Sequence, residues 1–505
     1  MSSIIQTATK NTAVVLIARS VSMISSVVFI ALFSRYVGVE QFGQYSYALS
    51  IAALLSGLVA FGLDAWAIRE VAQSPTLSAT IIGRSLFIQV TLALLSLLGL
   101  AVYWNWVSPD PNLLWIVLIV AGYVFLDTMS LLLISVFRAR EKMEYETAAV
   151  TAGNLAMVAL TAVGILLRVS VNGLLVLIAT SYALKFVVIV YYARQKCGLV
   201  GVLLQTRPAW GQIKTGLPFF LSSIGNTIYM SYPRLVLGAL GSFQSVGLYA
   251  AAEKVVLLIS VFAGVLDVVL YPIFVKQMQR SVREFARAYE RTADLVLVVG
   301  LLLAIGLSGL MPEIIWMLFG SSYKNALPIT LLLVPSISMS ISGYVNGRAM
   351  FVLRKERLMS VLIIGTALAG FLLASVSVNM LGAMGVALSV LLSAAFGFAF
   401  YFVYVRTQLG LPWLTGRYIL YFALFPIVFL VSYAWRDAGL AVRLMAHLAL
   451  MAGLIIAFTW THLIEWQWVR DLIRAFLRVL FFSRLREVEQ GAFFVNTEVE
   501  HTDEK

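Results

Sequence analysis

The chain has 505 residues, of which 61% are hydrophobic and only 12% are charged, and its formal net charge is +12. A water-soluble globular protein has a charged fraction of about a quarter, so this composition excludes a soluble enzyme and predicts a protein immersed in lipid. The positive charge is dispersed beside apolar stretches, where it interacts with anionic lipid headgroups, and this distribution disfavours nucleic-acid binding.

Fourteen apolar stretches follow one another along the chain, each close to the roughly 20 residues that cross a bilayer. They are continuous apolar runs without the alternation of a transmembrane β-barrel, so we expect α-helices. The first stretch is too long, and too closely followed by the second, to be a cleaved signal peptide. The predicted spans are Thr12 to Val37, Phe42 to Leu63, Ala79 to Trp104, Leu113 to Phe137, Thr147 to Leu167, Val171 to Tyr192, Leu217 to Leu240, Gly247 to Val275, Ala293 to Met311, Ala326 to Met350, Leu358 to Val378, Leu381 to Val405, Tyr418 to Tyr433 and Ala441 to Thr461.

Lys and Arg residues fall mainly in every second gap between these spans, which is typical of cytoplasmic loops. The gaps on that side contain basic runs such as Arg138 to Lys142 and Lys276 to Arg291, and the C-terminal segment adds Arg470 to Arg486. The opposite gaps contain Arg35, Arg168, Lys324, Arg436 and Arg443. The pattern predicts that both termini are cytoplasmic and that the external loops are short.

The metal-binding and nucleotide-binding signatures of enzymes are missing from the sequence. The single cysteine, Cys197, permits no intramolecular disulfide and no thiolate metal cluster. The three histidines are not spaced as a pair of metal ligands, and there is no Walker or Rossmann pattern. We therefore expect no metal site and no organic cofactor.

One short pattern occurs twice in the chain. The segment Gly38 to Tyr45 follows the first span, and a similar segment, Gly241 to Tyr249, follows the seventh with one inserted residue. Each copy joins an outward-going helix to an inward-going one, as in two parallel repeats of six helices, although short glycine turns also recur by chance. The predicted organisation is an N-terminal lobe at 1–196, a C-terminal lobe at 197–406, two added helices at 407–463, and a cytoplasmic amphipathic helix with a disordered tail at 464–505.

Four stretches distributed over most of the chain resemble a known family. They are Ser34 to Tyr45 (SRYVGVEQFGQY), Val246 to Lys254 (VGLYAAAEK), Tyr271-Pro272 and Leu381 to Ala387 (LGAMGVA). In their order, their spacing and the number of helices, the chain is similar to the O-antigen type of polysaccharide or oligosaccharide-lipid flippases in the multidrug/oligosaccharidyl-lipid/polysaccharide exporter superfamily.

This resemblance implies two lobes around a central cavity in the bacterial cytoplasmic (inner) membrane. It also implies an activity, the movement of undecaprenyl-diphosphate-linked oligosaccharide from the cytoplasmic to the periplasmic leaflet by alternating access. The product would be used for O-antigen, capsule or exopolysaccharide. The implied partners are the lipid-linked glycan, membrane lipids and other polysaccharide assembly proteins.

Among the cations inside predicted spans, where each costs roughly 2.5 to 3.5 kcal/mol unless it faces a cavity or a partner, five are candidates for a functional role. They are Arg19, Lys185, Arg234, Lys254 and Arg348. Guanidinium and ammonium donors can replace the water shell of a diphosphate, so these five are the candidate substrate-binding cations. For Lys185 and Arg348, which lie nearer the inner face, a structural ion pair is the favoured interpretation.

Two further sets of intramembrane residues complete the candidate site. The sugars would contact polar and aromatic side chains such as Asn226, Tyr229, Tyr232, Tyr344 and Asn346. A carboxylate in a low-dielectric cavity can hold H⁺ or Na⁺, and the candidate coupling acids are Asp127, Asp267 and Glu253. The alternative is that each acid neutralises a nearby cation, which we favour for Asp64 and Asp294.

Three other functions are less compatible with the sequence. A multidrug/cation antiporter of the same superfamily would require a cavity dominated by acids, whereas the buried cations here match or outnumber the acids. A membrane-embedded glycan polymerase would need a large external loop with catalytic residues, and the external gaps are short. A pure scaffold would have no use for charges inside the spans. We therefore expect a transporter and not an enzyme.

Overall fold

A computed structural model confirms the all-α polytopic class. It describes the backbone of residues 2–107, 110–198, 210–260, 263–413 and 416–460. Side chains are described for the same residues except 2–20, 105–107, 210–219, 221–222, 258–260, 263–269, 416–417, 419–423, 425 and 457–460. Within these ranges the regular structure is helical and contains no β-strand.

The helices follow the order of the predicted spans. In the first part of the chain they are α1 (Ser2–Ala60), α2 (Leu63–Gln73), α3 (Ser78–Val107), α4 (Pro111–Ala139), α5 (Met143–Leu166) and α6 (Val171–Cys197). The middle part contains α7 (Trp210–Leu240), α8 (Phe243–Ser260), α9 (Ala263–Arg280), α10 (Val282–Ser308) and α11 (Met311–Phe319). The last part contains α12 (Ala326–Leu333), α13 (Pro335–Val352), α14 (Glu356–Gln408), α15 (Gly416–Ala434) and α16 (Leu440–Trp460).

Eight helical stretches of the described residues are long and apolar enough to cross a bilayer, so this is a multi-pass membrane protein. Two of the helices are much longer than a bilayer is thick, and each bends at one glycine. The backbone of Gly38 in α1 has φ 79° and that of Gly382 in α14 has φ 57°, values that glycine adopts without a steric penalty. Each bend divides one continuous helix into two legs, which correspond to the first and second and to the eleventh and twelfth predicted spans.

Other helix boundaries differ from the sequence predictions for local reasons. The ninth predicted span begins at Ala293, whereas α10 already begins at Val282. Ser281 caps this helix there by accepting a hydrogen bond from the backbone N–H of Glu284. The tenth predicted span is divided into α12 and α13 at Pro335, which occupies the first position of α13. The short helix α11 was not predicted as a separate element.

The chain forms two compact units, Met1–Leu448 and Ala449–Lys505. The described part of the second unit is the end of α16. The predicted amphipathic helix and tail at 464–505 lie outside the described residues. The boundaries of the two predicted lobes stay a prediction.

The two copies of the glycine pattern pack directly against each other. A Cβ atom added to Gly43 would overlap the backbone carbonyl of Phe243, and one added to Gly247 would overlap the carbonyl of Val39. Each glycine therefore meets the carbonyl four residues before the other glycine, so the contact is reciprocal. We call this contact between α1 and α8 the glycine contact.

Further contacts surround the glycine contact at the predicted outer end. The Arg35 guanidinium donates to the backbone carbonyls of Trp316 and Leu318 at the C-terminus of α11, at 2.9 and 3.2 Å, where the helix dipole favours a cation. The Tyr323 hydroxyl donates to the Ser34 carbonyl at 3.1 Å. These contacts bring together residues almost 300 positions apart and join the first half of the chain to the second.

Candidate functional site

A cavity of about 430 Å³ lies among α7, α13 and the two legs of α14. Its wall combines one cation, several aromatic rings, three methionines and small polar side chains. The lining residues are Asn226, Tyr229, Met230, Met339, Ser340, Gly343, Tyr344, Gly347, Arg348, Phe351, Met359, Ile363, Thr366, Ser393, Ala394, Gly397, Phe398 and Tyr401. This volume is in the range of small-molecule sites, which are mostly apolar with a few oriented polar groups.

Arg348 is the cation of this wall. Its guanidinium carbon lies 5.2 Å from the ring centroid of Phe351 and 5.7 Å from that of Tyr271 on α9. Aromatic faces attract a guanidinium at such distances, and a planar guanidinium can donate hydrogen bonds to an anion in the same plane. The arrangement places a positive charge between aromatic surfaces at the predicted inner side of the cavity.

The structure brings some of the predicted sugar-contacting residues together in the cavity and places the others elsewhere. Asn226, Tyr229 and Tyr344 line the same wall as Arg348. Tyr232 is buried beside the cavity, with its hydroxyl 3.2 Å from the Ser393 hydroxyl. Asn346 is buried on another face of α13, where it accepts a hydrogen bond of 2.6 Å from Tyr289, so its amide oxygen is already bonded within the protein.

Arg234, Glu253 and Lys254 form a second charged group, which we call the α7–α8 cluster. The Arg234 guanidinium is buried, lies 3.4 Å from a carboxylate oxygen of Glu253, and donates to the Met230 carbonyl at 3.0 Å. Lys254 lies close enough for its charge to interact with both Arg234 and Glu253. The cluster therefore contains two cations and one anion.

Glu253 also lines a smaller cavity of about 90 Å³, together with Tyr249, Ser336 and other residues. Tyr229, Met230, Ser340 and Ala394 line both this cavity and the larger one. The two cavities therefore adjoin, and Glu253 is the charged group of the cluster that lines the smaller one.

The remaining described candidates, Lys185 and Asp127, form an ion pair between α6 and α4. Gly153 makes room for this pair, because a Cβ atom there would lie 2.8 to 2.9 Å from the carbons of the Lys185 side chain. The Lys185 ammonium also lies 4.6 Å from the ring centroid of Tyr182. Both charges are thus balanced within the protein, and neither residue lines the two cavities described above.

The Lys185 and Asp127 pair gives a test of structural against functional roles. We expect Lys185→Met to lower the free energy of unfolding by about 2 kcal/mol, because removing one partner leaves the other charge uncompensated. This loss of stability is smaller than that expected for a fully buried ion pair, because the Asp127 side chain is 38% exposed. Thermal unfolding of the purified protein in detergent measures the change. The double variant Lys185→Met/Asp127→Leu should recover most of the loss, and a double variant as unstable as the single one would contradict a structural pair.

Sequence reasoning missed a line of tyrosines next to this pair. The rings of Tyr182 and Tyr123 stack with centroids 4.7 Å apart, and the Tyr123 hydroxyl donates to the Tyr45 hydroxyl at 3.1 Å. These residues come from three different helices, so no linear pattern could have found them. The cavity residues Phe398 and Tyr401 were missed for the same reason, since they face the cavity only because α14 folds back at Gly382.

Two predicted site residues lie outside the described side chains, Arg19 in α1 and Asp267 in α9. Within the part of the chain that the structure describes, no group of three or more His, Cys, Asp or Glu side chains is arranged to hold a metal ion.

The first part of the chain matches a known protein family. Residues 8–278 match the model of a family described as polysaccharide biosynthesis protein. This range covers more than half of the chain and includes most of α1, all of α2 to α8, the glycine contact and the α7–α8 cluster. No curated protein matches the chain.

Solved structures with the same fold are membrane transporters. The lipid II flippase MurJ in an inward closed conformation superposes with a TM-score of 0.67 at 13% identity, covering 90% of this chain and 99% of that chain. An inward-facing multidrug resistance MATE family transporter of the MOP superfamily gives a TM-score of 0.65 at 16% identity, covering 77% and 94%. A MOP superfamily transporter from Pyrococcus furiosus gives a TM-score of 0.55 at 16% identity, covering 80% and 95%. At these identities the similarity establishes the fold.

Proposed function

Because the chain belongs to the polysaccharide biosynthesis protein family, we propose that it is a flippase for undecaprenyl-diphosphate-linked oligosaccharide. In this proposal it lies in the bacterial cytoplasmic membrane with both termini in the cytoplasm. It moves its substrate from the cytoplasmic to the periplasmic leaflet for surface polysaccharide synthesis, for example of O-antigen. No covalent bond changes, so the protein is a transporter and not an enzyme.

The observation that carries the proposal is the composition of the 430 Å³ cavity wall. Arg348 offers a guanidinium, which matches the geometry of phosphate oxygens, while Tyr229, Tyr344 and Tyr401 offer aromatic faces and hydroxyl groups. Asn226 adds an amide that can both donate and accept hydrogen bonds. A charged headgroup carrying hydroxyl-rich sugars requires this combination.

Movement across the membrane would follow from alternating access. The glycine contact and the Arg35 contacts join the two halves of the chain at the predicted outer end, whereas the residues around Arg348 lie toward the predicted inner end. A substrate in the cytoplasmic leaflet would enter there, with its polyprenyl tail remaining in the bilayer. The outer contacts would then have to separate for release. The MurJ and MATE likenesses support a fold that can undergo this change.

The described cavity gives less support to the multidrug/cation antiporter. Its wall, as far as the chain is described, contains Arg348 and no Asp or Glu. The positive charge of Arg348 disfavours a cationic drug at this wall.

Transport of a fluorescent undecaprenyl-diphosphate oligosaccharide into reconstituted vesicles tests the proposal. We expect Arg348→Gln to slow transport at least tenfold, because a hydrogen bond to a charged group contributes about 1.5 to 3 kcal/mol. The matched control is Arg357→Gln, an exposed arginine in the first turn of α14, which should transport at the wild-type rate. Equal transport rates for the Arg348→Gln and Arg357→Gln variants would show that Arg348 does not bind the substrate. Transport of cationic dyes without transport of the diphosphate lipid would favour the antiporter.

A further inference from the structure

Glu253 occupies the position in the α7–α8 cluster where an anionic substrate would meet buried Arg234. We propose that Glu253 is an internal counter-anion, which holds Arg234 when the site is empty and is displaced from it by the diphosphate of the substrate. This inference rests on the proposed function and identifies a residue that sets the affinity for the anionic headgroup.

The geometry of the pair indicates an exchangeable contact. The separation of 3.4 Å is longer than the 2.7 to 2.9 Å typical of a strong charge-assisted hydrogen bond. One carboxylate oxygen of Glu253 and the Nε atom of Arg234 are buried without a hydrogen-bond partner. Arg234 therefore retains hydrogen-bonding capacity that Glu253 does not use, and buried polar atoms of this kind are uncommon in folded proteins.

The position of Glu253 gives an anion a route to Arg234. Glu253 lines the smaller cavity, and that cavity shares Tyr229 and Met230 with the larger one. Arg234 lies 3.4 Å from Glu253 and lines neither of these two cavities, so an anion in the smaller cavity meets the carboxylate first. Movement of the Glu253 side chain would open the smaller cavity to the guanidinium.

The charges in the cluster provide the driving force for this exchange. Arg234 and Lys254 carry two positive charges and Glu253 one negative charge, so the cluster keeps one net positive charge in an apolar environment. Two like charges close together are costly unless an anion compensates them. A diphosphate diester has two ionised phosphate groups and would balance both cations, whereas Glu253 balances only one.

Binding of a short-chain polyprenyl-diphosphate N-acetylglucosamine to the purified full-length protein in detergent tests the proposal. We expect Glu253→Gln, which keeps the shape and removes the charge, to bind this lipid at least tenfold more tightly than wild type. The matched control Glu284→Gln removes an acid from an exposed ion pair with Arg287 and should leave the affinity unchanged. The same lipid with an uncharged linker in place of the diphosphate should bind wild type and Glu253→Gln with equal affinity.

A double-variant cycle separates displacement from a change in the fold. If Glu253 acts by occupying Arg234, the gain from Glu253→Gln should disappear in the Arg234→Gln background. A gain that persists there, or a Glu253→Gln protein that binds no better than wild type, overturns the counter-anion role. Failure of wild type itself to bind the diphosphate lipid overturns the proposed function as well, so the two failures are distinguishable.

Discussion

Replacing Gly247 by alanine should lower both the stability and the transport rate of this protein more than the same change at an uncrowded helical glycine. The added methyl group would overlap the backbone carbonyl of Val39, and a backbone carbonyl cannot rotate away as a side chain can. Overpacking of this kind typically costs 1 to 3 kcal/mol, and we expect a loss of about 3 kcal/mol here. Thermal unfolding in detergent and the vesicle transport assay measure the two effects.

The reciprocal contact provides internal controls. Gly43→Ala should have a similar effect, because its methyl group would overlap the Phe243 carbonyl. The double variant should cost less than the sum of the two single ones, since both push apart the same pair of helices. Gly122 in α4 is the matched control. No atom lies within 4 Å of a Cβ built there, so Gly122→Ala should be neutral or slightly stabilising. Equal effects at Gly122 and Gly247 would show that the glycine contact is not required.

Replacing Arg406 by methionine should be the most destabilising change of a charged residue among those described above. Arg406 is completely buried at the end of α14, where it donates to a carboxylate oxygen of Glu290 on α10 at 2.9 Å and to the Pro412 carbonyl at 2.7 Å. Its guanidinium carbon lies 4.8 Å from the ring centroid of Tyr418 on α15. One side chain therefore joins three helices and a turn.

Breaking a buried ion pair by removing one partner costs about 3 to 5 kcal/mol, because the other partner is left uncompensated. We expect Arg406→Met to lose about 3 kcal/mol, at the lower end of this range, since Glu290 is partly exposed. The control is Arg287→Met, whose ion pair with Glu284 is exposed at both ends and should contribute about 0 to 1 kcal/mol. Thermal unfolding of the two purified variants compares them directly, and similar midpoints would contradict the structural role of Arg406.

The fold class was predictable because it follows from local patterns in the sequence, the apolar runs of spanning length. A spanning helix requires only a sufficiently long apolar run, since its backbone hydrogen bonds are satisfied within the segment. The bends in α1 and α14 fall at Gly38 and Gly382, between spans that were predicted separately. The short helix α11 was missed because its nine residues are too few to cross a bilayer. The other helices were predicted from apolar runs of spanning length, and α11 is shorter than such a run.

The candidate site was predicted only in part, because residue type and depth do not determine the direction of a side chain. Arg348 and Asn346 lie two positions apart on α13, yet Arg348 faces the cavity and Asn346 is bonded to Tyr289. The sequence favours a structural ion pair for both Lys185 and Arg348. In the structure Lys185 is paired with Asp127, and Arg348 lies in the wall of the cavity. The roles of Arg234, Lys254 and Glu253 in transport stay predictions.

The sequence alone determined that this protein is a helical, multi-pass membrane protein, since hydrophobicity and the positions of charges act along the chain. Only the tertiary structure decided which charges meet. In the sequence Arg406 looks like an ordinary basic residue of a cytoplasmic gap. In the structure it is fully buried, because residues of α10 and α15 pack against it. Likewise, Gly43 and Gly247 are about 200 residues apart, and their contact exists only because the two halves of the chain fold against each other. Close packing and charge pairing depend on distances in space, which one sequence does not contain.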